Sequence, residues 1–73
     1  MTKKVTIQTE YITLGQFLKL ANIIDSGGMA KWFLQEYVIT VNGEEDNRRG
    51  RKLRNGDSII VEGKGEYTVV TKE

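Results

Sequence analysis

Polar and apolar residues alternate through Lys4-Val5-Thr6-Ile7-Gln8, which puts Val5 and Ile7 on one face and predicts a short half-buried strand. Tyr11 and Ile12 read as a linker. Thr13-Leu14-Gly15-Gln16 has the form of a capping box: the Thr13 hydroxyl accepts from a first-turn N–H while Gln16 reaches back. Leu14, Phe17, Leu18 and Ala21 then recur at helical spacing, predicting helix one over about 14–24. Asp25-Ser26-Gly27-Gly28 interrupts it; the glycines permit a reversal, and Ser26 is the expected N-cap of helix two. Ala30, Phe33, Leu34 and Tyr37 share one side of that helix, placed at roughly 28–36.

The second half changes period. Val38-Ile39-Thr40-Val41 is β-branched, and Asn42-Gly43 after it is a strong hairpin signal because both residues tolerate positive φ. From Glu44 to Arg54 the chain is almost entirely charged, with Leu53 the only apolar residue. Asn55-Gly56-Asp57 predicts a second turn, Ser58–Glu62 a strand, Gly63-Lys64-Gly65 a bend and Glu66–Thr71 a last strand. The expected order is β-α-α-β-β-β-β, an α+β domain over residues 1–73. Two helices should pack on one face of a small, mostly antiparallel, four- to five-stranded sheet, since nothing else buries their stripes. The predicted core is Leu14, Phe17, Leu18, Ala21, Ala30, Phe33, Leu34, Val41, Ile60 and Val69.

Composition narrows the chemistry. The 73 residues contain neither cysteine nor histidine, which removes disulfides, thiolate metal sites and the commonest general base. The remaining carboxylates suggest no buried pair, and there is no phosphate-binding loop or dinucleotide fingerprint. The chain is therefore expected not to be an enzyme and to need no cofactor or metal. No apolar run is long enough for a signal peptide or a membrane span, so a soluble cytoplasmic protein is expected. The net charge is +1, so an argument for a polyanionic partner has to come from where the charges lie.

Their placement is uneven. Arg48-Arg49-Gly50-Arg51-Lys52-Leu53-Arg54 holds five cations in seven residues, with no acid and with every arginine of the protein. Arginine offers a planar fork that fits phosphate, so the segment is a candidate polyanion contact. The bland alternative is a solvated loop whose cations offset Glu44, Glu45 and Asp46. Ser26-Gly27-Gly28 is a second candidate, because glycines let a phosphate approach the N–H groups of a helix N-terminus, with Lys31 one turn in; simple capping is the alternative. Trp32 falls opposite the apolar side of helix two. It is either an exposed base-stacking platform or is covered by a terminal strand, clustered with Tyr67 or Ile7.

Four segments together resemble a known family: Leu14-Gly15-Gln16-Phe17-Leu18, Ser26-Gly27-Gly28-Met29-Ala30-Lys31, Val38-Ile39-Thr40-Val41-Asn42-Gly43 and Asn55-Gly56-Asp57-Ser58-Ile59-Ile60-Val61. They look like the alpha-L RNA-binding motif, the domain named after ribosomal protein S-four, over about 14–62 with flanking strands. Ser-Gly-Gly-x-Ala-Lys and Asp46–Lys52 are most similar to its small stand-alone bacterial, YaaA-like members. The sequence departs from the wider family at Thr13, Gly15, Gln16, Gly27 and Tyr37, where that family usually has basic, Asp, Lys, Arg and Gly residues; Lys31 matches a basic family position. The resemblance implies that helix two and the loop after the hairpin share a side. It thereby joins Ser26, Gly27, Gly28 and Lys31 with Arg48, Arg49, Arg51, Lys52 and Arg54 into one RNA-binding surface. The implied partner is structured RNA, such as ribosomal RNA or a ribosomal precursor, with no membrane or small-molecule substrate.

Two other classes compete. A replication-associated or protein-interaction adaptor would use the same basic surface on DNA or an acidic partner. A β-grasp sulfur carrier has similar size and sheet content but would end in an exposed Gly-Gly, whereas this sequence ends Val70-Thr71-Lys72-Glu73.

Overall fold

In the computed structural model, which describes residues 2–72, the first half runs β1 (Thr2–Ile7), β2 (Tyr11–Thr13), α1 (Leu14–Leu20), a 3-10 turn (Gly27–Met29) and α2 (Ala30–Glu36). The second half is all strand: β3 (Ile39–Val41), β4 (Glu44–Glu45), β5 (Lys52–Arg54), β6 (Ser58–Val61) and β7 (Gly65–Thr71). The main sheet has the order β1-β7-β6-β3-β4, while β2 and β5 form a separate two-stranded ribbon. All pairs are antiparallel except β1 with β7, where Thr2–Ile7 match Glu66–Thr71 in register. The architecture is α+β, as the periodicities predict.

The Thr13 capping box forms as expected: Thr13 Oγ1 accepts from the Gln16 N–H at 3.3 Å, and the Thr13 N–H donates to Gln16 Oε1 at 3.1 Å. Helix α1 stops at Leu20, short of the expected 24. Asn22 takes φ 60°, and the Ile23 and Asn22 N–H groups donate back to the Leu18 and Lys19 carbonyls at 2.9 and 3.0 Å. That is a Schellman closure with asparagine in the left-handed position usually held by glycine. It turns Ile24 into the core.

Helix α2 also starts later than expected. The Gly27-Gly28 pair favours the α-helix poorly, and the segment takes a tighter turn in which the Met29 N–H donates to the Ser26 carbonyl at 3.1 Å. Ser26 flanks this turn without any side-chain cap bond, and Met29 stands at the N-cap of α2. The predicted capping role of Ser26 is therefore not realised.

One buried cluster joins the helices to the sheet through Leu14, Phe17, Leu18, Ala30, Phe33 and Leu34 from the helices and Val5, Ile7, Ile39, Val41, Ile59, Val61, Tyr67 and Val69 from the strands. Ala21 only borders it. Ile60, expected in the core, is exposed, and Ile59 takes its place. Ile59 and Val61 share the inward phase of β6, while Ile60 sits between Thr40 and Glu66 on the outer face. In three consecutive β-branched residues the period-two phase is set by the neighbouring strands. The Asn42-Gly43 hairpin forms with both φ values positive, at 53° and 86°. Tyr11 and Ile12, expected as linker, pair with Arg54 and Leu53, and that ribbon buries Ile12 and Leu53.

Candidate nucleic-acid interface

The cationic segment is held by its backbone as much as by its charge. Helix α1 begins against it: the Leu14 N–H donates to the Arg51 carbonyl at 2.7 Å, and the Gly15 N–H to the Arg49 carbonyl at 2.9 Å. With Gln16 bound by Thr13, the first turn of α1 is satisfied internally and offers no anion site. Gly15 lies where α1, α2 and the loop meet. A Cβ there would stand 3.4 Å from both the Ala30 Cβ and the Arg49 carbonyl oxygen, at van der Waals contact with both.

Within this frame the cations divide into three groups. Arg48 and Arg51 converge on Asp46. Its carboxylate accepts from the Arg48 backbone N–H at 2.8 Å, from Arg48 Nε and Nη2 at 3.1 and 2.9 Å, and from Arg51 Nη1 at 2.8 Å. Asp46 is buried, and these bonds, those from the Arg48 side chain foremost, hold its carboxyl far below the usual carboxylate range despite its burial. The Arg48 side chain remains 70% exposed and that of Arg51 27%. Part of the expected offsetting of loop cations by upstream acids is thus real, and it is concentrated in Asp46.

Arg49 turns to the helices. It lines a surface depression with Lys31, Leu34, Gln35 and Asn47, of about 270 Å³. Among the described residues neither Lys31 nor Arg49 forms an ion pair. The turn that leads into Lys31 carries Ser26, Gly27 and Gly28, all exposed. The Gly27 and Gly28 N–H groups have no acceptor among the described residues. A Cβ on Gly27 would meet nothing within 4 Å, and one on Gly28 only Ser26 Oγ at 3.9 Å.

The third group, Lys52 and Arg54, lies on the outer side of the β2–β5 ribbon. Lys52 Nζ is 4.9 Å and the Arg54 guanidinium carbon 5.5 Å from the centre of the Tyr11 ring, both within cation–π range. The structure therefore brings Lys31 and Arg49 together, leaves the Ser26–Gly28 turn outside the lining of their depression, ties Arg48 and Arg51 to Asp46, and sets Lys52 and Arg54 around Tyr11.

Trp32 is half-exposed, and among the described residues no terminal strand covers it. It meets Tyr37 edge-on at 6.4 Å, and Tyr67 instead packs against Phe17 at 5.7 Å. Sequence reasoning passed over Tyr11. The signal was present in the matching alternation of Tyr11-Ile12-Thr13 and Lys52-Leu53-Arg54, each with one apolar centre.

Among the described residues no group of acidic side chains could hold a metal ion, and no helix is long and apolar enough to cross a membrane. A probable ribosome maturation protein of Bacillus subtilis, RlbA, is 61% identical over 70 residues, covering 96% of this chain and 99% of its own length. Residues 5–70 match the S4 domain, which covers both helices, the basic segment, half of β1 and most of β7, and the chain belongs to the S4 domain family.

Proposed function

We propose that this protein is a non-catalytic, single-domain module that binds structured RNA, ribosomal RNA of a maturing ribosome being the first target to test. The observation that carries the reading is the depression shared by Lys31 and Arg49, two cations without an acidic partner among the described residues; the turn that leads into Lys31 carries the open N–H groups of Gly27 and Gly28. Such an arrangement suits a phosphate, which takes a guanidinium fork, an ammonium and backbone donors together. Membership of the S4 family and the name of the Bacillus relative both support it.

Within this reading Lys31, Arg49, Ser26, Gly27 and Gly28 form the primary contact. Arg48 and Arg51 add field from their places on Asp46, and Lys52 and Arg54 extend the surface along the ribbon. Structured RNA is then read by shape and phosphate positions.

A salt titration tests this. Each neutralised phosphate contributes about 0.7–0.9 to the slope of log affinity against log salt. Replacing Lys31 and Arg49 by alanine should therefore lower the slope by roughly 1.4–1.8 on a ribosomal RNA fragment while leaving the melting temperature near that of the parent. An unchanged slope overturns the assignment. Equal affinity for duplex DNA or a simple polyanion would favour an adaptor instead.

A further inference from the structure

A second surface lies around Tyr11. An open groove of about 880 Å³ runs between the end of β1, the ribbon and α1. Tyr11 stands on its wall and Ile12 and Leu20 contribute apolar surface, with Gln16, Asn22 and Lys19 along the α1 side. Tyr11 is 40% exposed, and Lys52 and Arg54 stand over its ring. Gln16 uses its Oε1 to accept from the Thr13 N–H, which leaves the side-chain NH₂ to donate. Lys19 is the one cation lining this groove and Glu10 the one acid, while Lys52 and Arg54 stand over the Tyr11 ring that forms its wall.

We infer that this groove takes one unpaired nucleotide of the bound RNA, its base stacked on Tyr11, its phosphates met by Lys52 and Arg54, and its edge within reach of Gln16. The inference rests on the RNA-binding reading and deepens it: the Lys31–Arg49 depression meets paired RNA through phosphate, and the Tyr11 groove adds a requirement for a base displaced from the stack. The chemistry fits that occupant better than a peptide. A base offers a flat π face to an aromatic ring, and its phosphates need the positive charge that Lys52 and Arg54 bring beside that ring. The volume lies in the range of small-ligand sites.

The probes are a blunt RNA duplex and the same duplex with one bulged 2-aminopurine. The parent should bind the bulged RNA more tightly than the blunt one and quench the 2-aminopurine fluorescence. Tyr11→Ala should weaken binding to the bulged RNA by about fivefold or more, from the usual value of a base–aromatic stack. It should abolish the quench and leave binding to the blunt duplex unchanged, and Tyr11→Phe should behave as the parent. Tyr11→Leu keeps apolar cover over the ribbon and should repeat the alanine result should that variant prove unstable. The inference is overturned when Tyr11→Ala or Tyr11→Leu binds both RNAs as the parent does, or weakens both equally, which would mean that the ring only positions its cations. A parent that binds neither RNA overturns the RNA-binding reading itself, whereas a parent that binds both without preference or quench overturns this inference alone.

Discussion

Replacing Asp46 by alanine isolates what holds the cationic segment in place. The side chain is buried and accepts four hydrogen bonds, three from Arg48 and one from Arg51. The guanidinium of Arg48 is mostly in solvent, so its share is screened and is left out of the sum. The Arg48 backbone N–H and Arg51 Nη1 remain, each bonded to a charged acceptor in a protected position. At the lower end of the range for such bonds the loss is about 3 kcal/mol. For a domain of this size that lowers the melting temperature by roughly 10–20 °C. Circular dichroism melts of the parent and the variant read this directly.

The pH dependence has a definite sign. The Asp46 carboxyl titrates lower in the folded protein than in the unfolded chain, so its contribution is fully present above the unfolded value, about 3.9, and is lost as pH falls below it. The penalty of Asp46→Ala should be constant between pH 7 and 5 and shrink below about pH 4, where the parent begins to lose the same interaction. A variant that melts with the parent at pH 7 refutes the clamp. It would mean that Asp46 merely neutralises surface charge, and removing it should then tighten polyanion binding at no cost in stability.

Three further outcomes follow from the packing. Phe17→Ala removes a fully buried ring that also meets Tyr67 edge-on, and should cost about 3–5 kcal/mol, read by urea denaturation; a parental midpoint refutes the core assignment. Ile59→Thr should destabilise the protein far more than Ile60→Thr, which should stay within about 0.5 kcal/mol of the parent in the same assay, because the two side chains lie on opposite faces of β6. Gly28→Glu should weaken RNA binding in a gel-shift assay while leaving the melting curve unchanged, since the space around Gly28 is open and the change brings negative charge to the proposed phosphate site; equal affinity would exclude the Ser26–Gly28 turn from the interface.

The fold was legible wherever a signal is local. The Thr13–Gln16 capping box, the Leu14-Phe17-Leu18 stripe and the Asn42-Gly43 turn each act within a few residues, and each appears as expected. The misses come from a weak local signal in one case and from distant partners in the others. Helix α1 ends at Leu20 because Asn22 adopts the left-handed conformation, and asparagine marks a helix end less plainly than glycine. Tyr11–Thr13 is a strand because Lys52–Arg54, some forty residues later, pairs with it. Ile60 faces outward because its neighbours on β3 and β7 fix the phase of β6. The last two facts are not written in their own segments.

The candidate site was legible as composition and not as arrangement. A run of five cations says that charge is concentrated; it does not say which of them already has a partner. The fold decides that. Asp46 lies two residues before Arg48 and five before Arg51, and the bend that lets it reach both is the one that presents the Arg49 and Arg51 carbonyls to the start of α1. Capping that helix and binding Arg48 and Arg51 are thus one structural event. It points Arg49 toward Lys31, while the strand that follows carries Lys52 and Arg54 to Tyr11. It follows that charge removal will not be uniform along the segment. Alanine at Arg51 should lower stability and affinity together, whereas alanine at Arg49 should lower affinity and its salt dependence and leave stability unchanged. Equivalent effects at the two positions would mean that the segment acts as a disordered cationic tether, with the Asp46 clamp irrelevant to binding.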